Sequence, residues 1–190
     1  LINELFEKIS SSSSEISGAV FIPEEPEDEN YDHNKEMVFK FNDLKSKGSF
    51  LALRIEGDKI SIDEKIKALT DELGLDKLNS TVLDLYQSVP FWKKINNLEL
   101  FKLTKNNLLR VVIPPSKGNE LMQYLSNKYK YYVDWCGSLY WIEIQSKKNT
   151  KVKEIKNKIK ELEGYLTIIK TSDEYDYEET IFTVDSTRLL

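Results

Sequence analysis

The chain is poor in the residues that build self-contained chemical sites. Its 190 residues include one cysteine, Cys136, and one histidine, His33. A disulfide needs two thiols, so none forms within the chain, and no Cys/His metal cluster has enough donors. Glycine occurs seven times, mostly singly and at turns. No GxGxxG or GxxxxGK run is present, so the Gly-rich loops that cradle phosphates are excluded. A serine nucleophile elbow is absent as well. No apolar run approaches the roughly 20 residues that span a bilayer. No secretory signal precedes the first structured segment, and a reducing interior is the simplest expectation. Basic residues are outnumbered, with 27 Lys and Arg against 32 Asp and Glu and a formal net charge of -5. Phosphate binding wants a basic surface, so nucleic acid is not expected as a partner.

What is present is a clear order of periodic segments. Residues 108–113 form an apolar strand closed by Pro114 and Pro115. Leu121, Met122 and Leu125 mark a helix that Ser116 is placed to cap. Residues 129–134 and 139–144 make a hairpin with Gly137 at its tip, where a tight turn demands a positive φ. Val152, Ile155, Ile159 and Leu162 form the next helical stripe, Gly164 ends it, and residues 165–169 are a last strand. Strand, helix, strand, turn, strand, helix, strand is the ferredoxin-like split βαβ unit. The expectation is an α+β domain: an antiparallel sheet with helices on one face, a ferredoxin-like βαββαβ unit over about residues 107–170, and a preceding β-α half-unit. Two helices on one face would leave the other sheet face free for a ligand or partner.

Upstream, residues 1–47 read as an N-terminal extension. It holds an amphipathic helix from Leu1 to Ile9, a strand at 16–22, an acidic loop at 24–36 and an alternating segment, Met37 to Phe41. Residues 48–104 form the half-unit: a strand with Leu51, Leu53 and Ile55 on one face, then a helix carrying Ile62, Ile66, Leu69 and Leu73 and stopped by Gly74. In residues 80–95, Val82, Leu85, Tyr86 and Val89 fit a helix that Pro90 interrupts, with a further turn after it. Residues 105–170 are the ferredoxin-like unit and 171–190 a truncated acidic, aromatic tail. The chain starts on Leu1 without an initiator Met and stops within an apparent helix, which reads as a piece of a longer polypeptide.

Several side chains could carry function. Trp135 and Trp141 lie on the central hairpin and either pack the core or wall a ligand cleft. Arg110 sits inside an apolar strand, where a charge needs a partner. That partner is either an acidic residue such as Asp134 or a bound carboxylate or phosphate, which the guanidinium fork fits. Arg54 stands similarly. Cys136 has no nearby histidine to activate it, and His33 with Glu29 and Asp32 reads as a solvated acidic loop. Seven lysines (147, 148, 151, 153, 156, 158 and 160) surround an apolar stripe, which is the pattern of a solvated helix face.

Leu108-Leu-Arg-Val-Val-Ile-Pro-Pro-Ser, Val133-Asp-Trp-Cys-Gly-Ser-Leu-Tyr-Trp and Gly164-Tyr-Leu-Thr-Ile-Ile-Lys together resemble the C-terminal half of the FAD-binding, GlcE-type subunit of bacterial glycolate oxidase. Phe50-Leu-Ala-Leu-Arg-Ile-Glu-Gly and Phe91-Trp92 fit the same pattern, so the resemblance runs over residues 48–184. It implies membership of the vanillyl-alcohol-oxidase-type FAD-linked oxidases, with this chain as the cap and FAD held mainly by an N-terminal domain lying outside it. Trp135, Trp141, Tyr140 and Arg110 would then face flavin or substrate. The implied partners are the chain's own FAD domain, a second flavoprotein subunit, an iron–sulfur subunit and a small 2-hydroxy acid. The implied location is cytoplasmic, peripheral to the inner membrane through those subunits. The family's small residue at position 136 is replaced by cysteine, and the His-containing motif of related catalytic subunits is missing. The competing reading is a non-enzymatic ferredoxin-like module that binds a ligand or protein on its open sheet face.

Overall fold

The computed structural model describes residues 2–24, 48–75, 80–101, 106–145 and 149–171. The acidic loop beyond Glu24, the Met37–Phe41 segment, His33 with Glu29 and Asp32, Lys147, Lys148 and the tail from 172 lie outside the described residues. The strands are β1 (Ile16–Ile22), β2 (Phe50–Ile55), β3 (Asn106–Val112), β4 (Lys130–Asp134), β5 (Leu139–Gln145) and β6 (Tyr165–Lys170). The helices are α1 (Ile2–Ser11), α2 (Lys59–Leu73), α3 (Leu85–Asn96), α4 (Gly118–Leu125) and α5 (Asn149–Glu161). The protein is α+β, with one six-stranded sheet in the order β2-β1-β4-β5-β3-β6. Every neighbouring pair is antiparallel.

The last four strands carry the ferredoxin-like order, with the hairpin β4–β5 and then β3 between β5 and β6. The β1–β2 pair extends this sheet from the β4 edge, where Phe21 pairs with Val133. Side chains alternate faces along a strand, and the first face is closed by four helices. Leu109, Val111, Tyr131, Val133, Tyr140, Ile142, Leu166 and Ile168 meet Phe6 and Ile9 of α1, Leu69 and Leu73 of α2, Leu121 and Leu125 of α4, and Val152, Ile155 and Ile159 of α5. The lysine-rich helix α5 turns its apolar stripe inward as its spacing predicts, and Lys158 bridges outward to Glu120 at 2.7 Å.

The opposite face is not free. The helix α3 and the turn after it cover this face from β2 as far as Leu108 of β3, burying Phe91, Ile95, Leu100 and Phe101 with Val20, Tyr132 and Leu108. This helix departs from its sequence pattern in two ways. It runs through Pro90 without a break. Pro90 forfeits only the bond to the Tyr86 carbonyl, and Asp84 anchors the start with a capping box to Gln87. The apolar residues Leu85, Tyr86 and Val89 all point to solvent. The buried stripe is instead Phe91 and Ile95 with Trp92, whose indole edge rests over Gly18 at 3.2 Å from where a Cβ would stand.

Two end signals also differ. No side chain caps the start of α4, which follows a 3-10 turn at Pro115–Lys117, so Ser116 is not its cap. At the end of α5 the left-handed residue is Glu163 (φ 57), not Gly164. Glu163 N donates to the Lys160 carbonyl and Gly164 N to Ile159, a Schellman motif. Gly164 is required for room: a Cβ there would stand 2.5 Å from Ile113 Cγ2 and 2.9 Å from the Val112 carbonyl.

Candidate functional site

Over β5 and β3 the second face is buried at Leu108, Leu139 and Glu143, and it opens to solvent towards β6. Cross-strand pairing sets Arg110 between Trp141 on β5 and Thr167 on β6, and Val112 between Leu139 and Tyr165. Leu166 and Ile168 face the helices, so Tyr165 and Thr167 face outward on this side, and a register shift after Ile168 sets Lys170 opposite Leu108 on the same side. Tyr165 is 52% exposed and Ile169 46%. Trp141 is half-buried, tilted against Tyr132 at a centroid distance of 6.4 Å. The Trp135 ring reaches over from the β4–β5 turn and the Arg110 guanidinium lies 5.6 Å from its centre, yet the indole stays 60% exposed.

The turn that delivers Trp135 is strained. Trp135 and Cys136 both have φ 49 and Gly137 has φ 91. A left-handed conformation costs a non-glycine residue roughly 1–2 kcal/mol. Local bonds hold it: the Asp134 carboxylate accepts from Trp135 N at 2.8 Å, and Ser138 Oγ donates to the Trp135 carbonyl at 2.7 Å. Ile113 N also donates to the Ser138 carbonyl. Phe6 of α1 packs against Gly137, 3.1 Å from where a Cβ would stand. Burial raises the Asp134 carboxyl above the ordinary aspartate value, and the Trp135 N–H offsets this in part.

Three of the four residues expected on a ligand-facing surface, Arg110, Trp135 and Trp141, therefore meet. Tyr140 does not. It points to the helix-covered face, is fully buried, and donates its hydroxyl to the Gly118 carbonyl at 3.2 Å. An odd-even shift along β5 separates it from Trp141, so its place on that surface is corrected. The expected Arg110–Asp134 pair is also not formed, and among the described residues Arg110 makes no ion pair. Arg54 is satisfied elsewhere, by Glu56 and by the Trp92 ring at 6.0 Å. The sequence pattern does not single out Tyr165, although alternation with Leu166 marks it, and Ile169 lies at a register shift where alternation fails.

On the far side of Trp135 a polar groove of about 550 Å³ runs between β1, the end of α3 and the turn. Its lining includes Ser17, Arg54, Trp92, Asp134 and Cys136. Among the described residues no cluster of His, Cys, Asp or Glu could hold a metal ion. No helix among them is long and apolar enough to cross a membrane. A scan against protein-family models, a search of curated proteins and a search of solved structures each returned no match.

Proposed function

We propose that this chain is a non-enzymatic, ferredoxin-like binding module that works through the exposed side chains of β6 and the β4–β5 turn at the edge of its second sheet face. The observation that carries this reading is the convergence of Arg110, Trp135 and Trp141 beside the exposed Tyr165 and Ile169. Exposed aromatic side chains around a guanidinium are the composition of an interface centre. The strained turn supports it, because strain of this kind persists where it positions a functional group. The experiment is a comparison of the chain with a Tyr165→Lys/Ile169→Lys variant as targets for a random peptide library. Both side chains are exposed, so the variant should melt like the parent while losing the enriched peptides. A variant that melts well below the parent would make the patch structural and remove the proposal.

A second reading, the cap of a FAD-linked 2-hydroxy acid oxidase subunit, draws on the same three residues. Indole faces beside an arginine suit an isoalloxazine ring and a carboxylate substrate. It is weakened by α3, which covers much of the face a cap would lay over flavin, and by the inward-facing Tyr140. FAD should bind the chain by itself more weakly than micromolar on this reading. The reading frame upstream of Leu1 decides it: a Gly-rich flavin-binding domain supports the cap, and an unrelated segment removes it.

A further inference from the structure

We infer that the outer face of α3 is a self-association surface, on which a second copy of this chain lays its own α3 antiparallel. Among the described residues eight large apolar side chains are exposed, and four of them fall within residues 82–89. Val82 is 67% exposed, Leu85 72%, Tyr86 87% and Val89 57%. Val82 lies just before the helix. Leu85, Tyr86, Val89 and Pro90 stand at i, i+1, i+4 and i+5, one continuous face of a 3.6-residue helix. Phe91 and Ile95 occupy the opposite side, against the sheet. The outer stripe adds nothing to the core, and monomeric proteins rarely leave so many large apolar side chains contiguous. This surface is separate from the one around Arg110 and Trp135.

The charges select the occupant. Asp84 caps the start of α3, and Lys93 and Lys94 stand in its last turn. From Leu85 to Trp92 no residue is charged. Lys93 is exposed and continues the apolar stripe at i+8 from Leu85, while Lys94 is half-buried to one side. Glu99, beyond the helix, accepts from the Asn97 side-chain amide at 3.1 Å. A face acidic at one end, basic at the other and apolar between complements a reversed copy of itself. A two-fold axis midway between Tyr86 and Val89 sets Tyr86 against the copy's Val89, and Leu85 against its Pro90. At a rise of about 1.5 Å per residue, the copy's Lys93 then lies about 3 Å along the axis from Asp84, within a lysine's reach. Asp84 Oδ1 accepts from Gln87 N at 2.9 Å, which leaves its second oxygen for that lysine. The Asp84–Lys93 pair forms twice, and the two helix dipoles oppose. A parallel copy would set Asp84 beside Asp84 and Lys93 beside Lys93. The contact is one helix face wide, so it belongs to the weak end of protein interfaces, with a Kd on the order of 10–100 μM. At the low micromolar concentrations of a melt the chain is then a monomer.

The test is sedimentation equilibrium of the full chain from about 5 to about 500 μM. The expected result is a shift from monomer to dimer that stops at the dimer. Tyr86→Ser/Val89→Ser should abolish it while the variant keeps the parent's circular dichroism spectrum. Lys93→Glu sets two acids together and should weaken dimerisation roughly tenfold or more. Mixing it with an Asp84→Lys chain should restore dimers, because both ion pairs re-form across the mixed interface. Tyr165→Lys/Ile169→Lys should change nothing, which separates this surface from the binding surface proposed above. A chain monomeric at the highest concentration overturns the inference. So does a dimer that ignores Y86S/V89S or is lost with the β6 variant, since the contact then lies elsewhere. Association that responds to Y86S/V89S but not to K93E, or that grows past the dimer, overturns the antiparallel two-fold pairing.

Discussion

The Arg110 guanidinium sits 5.6 Å from the centre of the Trp135 indole, although the two residues belong to different elements and 25 positions separate them (135 − 110). β3 supplies the cation, and the strained β4–β5 turn swings the ring over it. A double-mutant cycle with Arg110→Ala and Trp135→Ala should give a coupling of about 0.5–1 kcal/mol, the range of an exposed cation–π pair. Strict additivity in urea melts would mean the contact contributes nothing to stability.

Asp134 links the same turn to pH. Burial raises its carboxyl pKa. A raised folded-state value means the stabilisation is complete below the unfolded value of about 3.9 and is lost as pH rises through the folded one. Asp134→Asn keeps an oxygen for the Trp135 N–H and removes the charge. It should therefore melt higher than the parent at pH 7, and the gap should close in acid. Equal melting temperatures at neutral pH would count against the burial of this group.

The tyrosines act at the other end of the scale. Desolvation pushes Tyr129 and Tyr131 up to about 12. Tyr132 and Tyr140 go higher still, the first also facing the Asp134 charge and the second the neighbouring Tyr131. Each group favours the fold while unfolded phenols are neutral, and that support fades as pH climbs from about 10 through the folded values. Absorbance at 295 nm should show exposed tyrosines ionising first and the buried set rising in one step with the loss of ellipticity. A single smooth titration with intact ellipticity would contradict it.

The end of α5 offers a paired test. Gly164→Ala drives a methyl into Ile113 and the Val112 carbonyl and should cost about 2–3 kcal/mol. Glu163→Gly relieves a left-handed glutamate at an exposed site and should gain about 1 kcal/mol. Chemical denaturation measures both, and the opposite signs are the check.

On α3, Phe91→Ala should cost about 3–5 kcal/mol, because its ring fills the second face of the sheet. Tyr86→Ser, one turn away and 87% exposed, should shift stability by less than about 0.5 kcal/mol. Comparable losses from the two would place the wrong face of the helix against the sheet.

The contrast on α3 also explains which features the sequence discloses. Where an apolar stripe has a single period and one partner surface, as with Val152, Ile155 and Ile159, spacing alone identifies the buried face. On α3 both faces are apolar, so spacing could not choose between Leu85-Tyr86-Val89 and Phe91-Trp92-Ile95. The choice was made by what lay opposite: Gly18 opens room for the Trp92 ring, and Val20, Phe50 and Tyr132 receive the rest.

The linear chain by itself determined the strands and helices of the ferredoxin-like unit, because period-2 and period-3.6 burial is written residue by residue. It also required a left-handed residue at Gly137. Tertiary structure decided the rest. It laid α3 over the second face as far as Leu108, turned Tyr140 inward while Trp141 stayed out, and brought Arg110 and Trp135 together. Those outcomes depend on strand register and on competition between surfaces for the same contact, and neither is encoded in any one segment.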